Sequence, residues 1–105
     1  MAIKTITEFL AIDTVKIWAY FYDEDDALVN PTTSITIDIY DPDGTLQVDG
    51  AAMTNSDTGI YYYYYHKGDS ADPMAKGNWR GTIKAVDGLG VDAVVSTGNF
   101  HFKVK

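Results

Sequence analysis

The side chains of this chain that could do chemistry fall into three sets: acids crowded into loops, aromatics alternating along strands, and a pair of histidines. The acids are the densest set. "DEDD" at residues 23–26 is followed by Asp57 and by Asp87 and Asp92 further on. If successive strands alternate in direction, these three loops meet at one end of the molecule. Converging carboxylates are the hard oxygen ligands that calcium takes, so Asp23, Asp25, Asp26 and Asp87 are the candidate metal ligands. The spacing follows no EF-hand pattern, and acidic loops are commonly just solvated turns. No resident cofactor is therefore expected, and calcium is the one ion these loops suit.

The aromatics form the second set. Trp18, Tyr20 and Tyr22 fall at alternate positions of "TVKIWAYFY", while Tyr40, Tyr62 and Tyr64 take outward positions on two further strands. If those strands are neighbours, the six residues make one contiguous binding face. Aromatic side chains bring contact area at little entropy cost, which suits a protein interface, and their rings also stack on sugars. The competing reading is cross-strand pairing that stabilises a sheet face. The histidines, His66 and His101, fall on different strands with no zinc-type spacing. There is no nucleophile elbow and no phosphate-cradling glycine loop, and nothing singles out two of the 15 acids as a general acid and base. The expectation is a protein that is not an enzyme.

Strands position these residues. Period-two alternation dominates the chain, and no segment carries a helical stripe. Val15, Ile17, Ala19 and Phe21 share one face of their strand; Ile35, Ile37 and Ile39 do the same in "SITIDIY". Trp79, Ile83 and Ala85 form a third apolar face, and Phe100, Phe102 and Val104 a fourth. Each pattern is that of a strand buried on one side. "DEDDALVNPTT", "DPDG", "NSDTG", "KGDSADPMAKG" and "DGLG" separate them as turns or loops, and Gly98 reads as a bulge in the last strand. The run "DTGIYYYYYH" at residues 57–66 is then a strand whose successive tyrosines fall on opposite faces. Uncharged and rich in β-formers, it is an aggregation hazard unless paired within a sheet. Short strands at this spacing predict an all-β, antiparallel, seven-stranded sandwich forming a single domain over residues 1–105.

Composition narrows the partners. The 105 residues carry 15 Asp and Glu against 8 Lys and Arg, a net charge of −7. A chain of that sign is repelled by phosphate, so neither nucleic acid nor an anionic membrane surface is an expected partner. No apolar run approaches the roughly 20 residues of a spanning helix, so membrane insertion is not expected either. Without cysteine there are no disulfides, thiolate metal sites or cysteine nucleophiles. The start "MAIKTITEFLAIDTV" lacks the apolar centre of a signal peptide. The expectation is a protein made in the cytoplasm or one domain of a longer exported chain.

Five motifs carry a family resemblance. The strand and turn at residues 13–26, the "ITIDIYDPDG" hairpin at 35–44, the Asp57-Thr58-Gly59-Ile60-Tyr61 corner, "KGNWR" at 76–80 and the closing "FHFKV" at 100–104 together span most of the chain. They resemble the immunoglobulin-like β-sandwich modules of the α2-macroglobulin and bacterial Ig-like type, though the cysteine pair of antibody domains is absent. The resemblance implies an Ig-like sandwich, and its corner implies that Tyr61, and with it Tyr63 and Tyr65, point inward while Tyr62 and Tyr64 point outward. It also implies a non-enzymatic structural or adhesion module of a virion or cell-surface assembly, working by contact with a protein partner or with itself. The alternative it leaves open is a carbohydrate-binding module using the outward aromatics, with calcium assisting.

Overall fold

The computed structural model describes residues 2–11, 14–66, 75–88, 90 and 94–104. The chain is all-β. Its strands are β1 (Ala2–Ala11), β2 (Thr14–Tyr22), β3 (Ser34–Tyr40), β4 (Leu46–Ala52), β5 (Thr54–Asp57), β6 (Ile60–His66), β7 (Gly77–Asp87) and β8 (Val94–Val104). They form two antiparallel four-stranded sheets, ordered β1-β2-β6-β5 and β4-β3-β7-β8. The polar stretch 67–74 and Asp92 lie outside the described residues.

The two apolar faces meet between the sheets. Val15, Ile17, Ala19 and Phe21 of β2 are fully buried, and so are Ile37, Ile39, Ile83 and Ala85 across the gap. Each large aliphatic side chain buried this way contributes about 1.5–3 kcal/mol. Trp79, only 1% exposed, is the centre of an aromatic cluster. It stacks on Phe102 with ring centres 5.8 Å apart, lies 5.6 Å from Tyr65, and donates its indole N–H to the Ala75 carbonyl at 2.8 Å. That last bond satisfies the polar edge of an otherwise buried ring.

The tyrosine run is the strand its alternation predicts. Tyr61, Tyr63 and Tyr65 stand opposite Ala19, Ile17 and Val15, and so share the inner face. Only Tyr65 is fully buried; Tyr61 and Tyr63 are half-buried against the core, Tyr61 meeting Phe21 edge-on at 5.4 Å. β6 is paired with β2 along its length and with β5 over its first residues, so the hazardous segment lies inside a sheet.

Three sequence expectations are corrected. Eight strands are present, not seven, because the segment from 46 to 57 is extended but changes sheets. Before Met53 it pairs with β3 as β4, and after Met53 it pairs with β6 as β5. Met53 is the pivot, buried and donating its N–H to the Ile35 carbonyl at 3.3 Å. Three of the five residues of "NSDTG", read as a turn, thus belong to strand β5. Gly98 is not a bulge, since β7 and β8 pair without a register shift from Gly77↔Val104 to Asp87↔Val94. The residue is small because Ile3 of β1 packs on it: a methyl there would come within 2.9 Å of Ile3 Cγ2.

Candidate functional site

The outer face of the first sheet is built by register. β1 against β2 sets Lys4 beside Tyr20, Ile6 beside Trp18 and Glu8 beside Lys16; β2 against β6 sets Trp18 beside Tyr62 and Lys16 beside Tyr64. Trp18 and Tyr62 lie with ring centres 5.6 Å apart, and Tyr62 and Tyr64 meet edge-on at 5.3 Å. The Lys16 ammonium sits 4.0 Å above the Trp18 ring, 4.6 Å from Tyr62 and 4.9 Å from Tyr64. Each such cation–ring contact is worth about 0.5–1 kcal/mol at an exposed site. The indole N–H of Trp18 reaches toward Glu8 Oε1 at 3.5 Å. Ile6 and Tyr64 are the most exposed members, at 43% and 50%. The rings of Trp18, Tyr20, Tyr22 and Tyr62 are half-buried.

Five of the six candidate aromatics, Trp18, Tyr20, Tyr22, Tyr62 and Tyr64, therefore belong to one sheet. Tyr40 does not. It lies on β3 of the opposite sheet, with the Arg80 guanidinium 5.1 Å from its ring centre. Alternation along a strand fixes which way a side chain points, but says nothing of which strands are neighbours. Lys16, which lies over three of the rings, is not singled out by the sequence because two of them, Tyr62 and Tyr64, are on another strand.

The acidic end is a set of turns. Asp23 Oδ1 accepts the N–H groups of Asp25 (2.8 Å) and Ala27 (3.0 Å), closing the loop in which Asp26 takes a φ of 61°. Asp87 Oδ1 accepts the Thr32 N–H at 3.0 Å and its hydroxyl at 2.7 Å, and the Thr32 hydroxyl accepts the Gly88 N–H at 2.8 Å. Asp23, Asp25 and Asp87 do line one shallow groove, together with Glu24, Val29 and Val94, but Asp26 is outside it. Among the described residues, no three or more His, Cys, Asp or Glu come together as a group able to hold a metal ion. Of the four acids expected to converge, Asp23, Asp25 and Asp87 share the groove and Asp26 does not, and the Asp23 and Asp87 oxygens that accept backbone N–H groups hold their loops together. His66, beside Thr14 (Oγ1 to Nδ1 2.9 Å), and His101 lie in different sheets. Among the described residues, no helix is long and apolar enough to cross a membrane.

The chain matches no family model, no curated protein and no solved structure. Its own geometry is what bears on function.

Proposed function

We propose that this chain is a non-enzymatic structural or interaction module of immunoglobulin-like type, acting through the outer face of β1, β2 and β6 on a protein surface, a second copy of itself first. Strand order supports the fold assignment. In immunoglobulin-like domains strands A, B, E and D make one sheet and C, F and G the other. β1, β2, β6 and β5 occupy the first set in that order, and β3, β7 and β8 the second, with β4 added beside β3. The Asp57-Gly59-Tyr61 corner supports it less. It opens β6, the counterpart of strand E, whereas the tyrosine corner of those domains opens strand F.

The observation that carries the functional reading is the grouping of five aromatic side chains with exposed Ile6 on one flat face. Aromatic clusters of this kind dominate the energetics of protein contacts. The face also mixes its charges, Lys4 and Lys16 beside Glu8, within a chain of net charge −7. A second copy can meet it without the repulsion that the acidic loops would bring. A virion or cell-surface assembly, where copies are held at high local concentration, is the setting in which a weak contact of this size would serve.

The test is sedimentation across a concentration series. Wild type is expected to associate, and the variant Trp18→Ser/Tyr20→Thr/Tyr62→Ser is expected to stay monomeric with an unchanged circular dichroism spectrum. A wild type that remains monomeric throughout would sink the self-contact and leave the rings as sheet-stabilising pairs.

A further inference from the structure

The opposite face of the sandwich carries a different surface. Between β3, β7 and β8 runs an open groove of about 490 Å³, lined by Tyr40, Arg80, Thr82, Asn99 and His101 and floored by Gly81 and Phe100. That volume is within the roughly 300–1,000 Å³ of small-molecule sites. Register puts its side chains in two adjacent rows, Tyr40, Arg80 and His101 in one and Thr82 and Asn99 in the next, with Asp38 outside the groove at the end of the second row. We propose that this groove binds an acidic saccharide, with Arg80 taking the acid group.

The lining selects the ligand. It offers a guanidinium, an imidazole, an amide and two hydroxyls, and no carboxylate. Arg80 lies against the Tyr40 ring, which orients the flat guanidinium and leaves its edge to meet a carboxylate in the forked geometry that arginine prefers. Thr82 donates its hydroxyl to Asn99 Oδ1 at 3.2 Å, which turns the Asn99 amide nitrogen outward as a donor. Asp38, the acid nearest in register, is engaged by the Gly50 N–H at 2.6 Å. Lys84 continues the outer row of β7 and Lys103 that of β8, so three of the chain's 8 Lys and Arg share this face. In a molecule of net charge −7, these three cations against the single nearby Asp38 make this face a more favourable place for an anion than the acidic loops. The groove is open, and its lining mixes polar groups with the rings of Tyr40 and Phe100. Spaced hydroxyl and amide groups beside an aromatic ring match the alternating hydroxyls and C–H faces of a sugar.

The experiment is an amide-shift titration of the isotope-labelled whole chain with trigalacturonate and with sialyllactose, using lactose as the neutral control and triglutamate as the peptide control. At millimolar ligand, at least one acidic saccharide is expected to shift amides of β3, β7 and β8 around Arg80, and lactose to shift none. Arg80→Gln should weaken that binding about tenfold or more, and Arg80→Lys less, since it keeps the charge but loses the fork. Asn99→Ala provides a second variant should Arg80→Gln fail to fold. The Trp18→Ser/Tyr20→Thr/Tyr62→Ser variant should bind as wild type, because its changes lie on the other sheet. Absence of shifts with both acidic saccharides, equal shifts with lactose, stronger binding of triglutamate, or an Arg80→Gln variant that binds undiminished would each overturn the proposal.

Discussion

At the residue scale, Tyr65 is the side chain whose environment is most at odds with its chemistry. It is 6% exposed, and its hydroxyl is buried with no hydrogen-bond partner among the described residues. A buried hydroxyl without a partner costs about 1–3 kcal/mol. Burial first, then the neighbouring charges of Tyr63 and Asp41, push its pKa from 10.0 up to about 12, and burial raises that of Tyr61 as well. The sign of the consequence follows from linkage. Above pH 10.0 the unfolded chain releases the Tyr65 proton while the folded chain keeps it, so stability present below that pH is lost as pH rises toward about 12. The loss should be roughly 1–3 kcal/mol. Tyr65→Phe is therefore expected to gain about 1 kcal/mol in urea denaturation at neutral pH and to flatten the alkaline limb. An unchanged alkaline limb in that variant would assign the loss to other groups. The Asp57-Gly59-Tyr61 corner, counted on by strand alternation, made Tyr65 legible as an inward residue. It could not show that its hydroxyl would end in the core with none of the described residues to receive it.

At the element scale, β7 shows how a strand between two others is constrained by both. Its inner row reads Trp79, Gly81, Ile83, Ala85, and the glycine looks like a gap in the apolar pattern. The gap is filled by a neighbour. A methyl on Gly81 would come within 2.2 Å of Phe100 Cζ and 2.5 Å of the Asp38 carbonyl, so the Phe100 ring occupies the space a side chain would take. Gly81→Ala should cost about 3 kcal/mol or more, at the upper end for overpacking, because one of the two obstacles is backbone. Thermal or urea unfolding checks this, and a loss under about 1 kcal/mol would mean that Phe100 has another rotamer to adopt. A glycine in a strand interior signals either a bulge or a close approach. At Gly81 and at Gly98 it is the close approach, and only the partner strand distinguishes the two.

At the scale of the whole molecule, the sandwich is held along both sides. On one side the chain itself joins the sheets as β4 becomes β5 at Met53. On the other, the edge strands β1 and β8 lie against each other through Ile3 on Gly98 and Phe9 edge-on to Phe102 at 5.8 Å. Gly98→Val should open this seam and cost about 1–3 kcal/mol. Adding Ile3→Ala should recover part of that loss, so the two changes are expected to be non-additive in a double-mutant cycle. Strict additivity would show that β1 can retreat without strain.

The sequence by itself determined the all-β class, the facing of β2, β3, β7 and β8, and the burial of Trp79. Each of these follows from period-two alternation, which is a property of one strand and its solvent contrast. Tertiary structure decided the rest. It separated Tyr40 from the other five aromatics, placed Lys16 over three rings, turned residues 46–57 into two strands, and brought Tyr40, Arg80, Thr82, Asn99 and His101 to one groove. The reason is physical: strand neighbours are chosen by how two apolar faces close over one core, a non-local requirement that no single strand's pattern encodes.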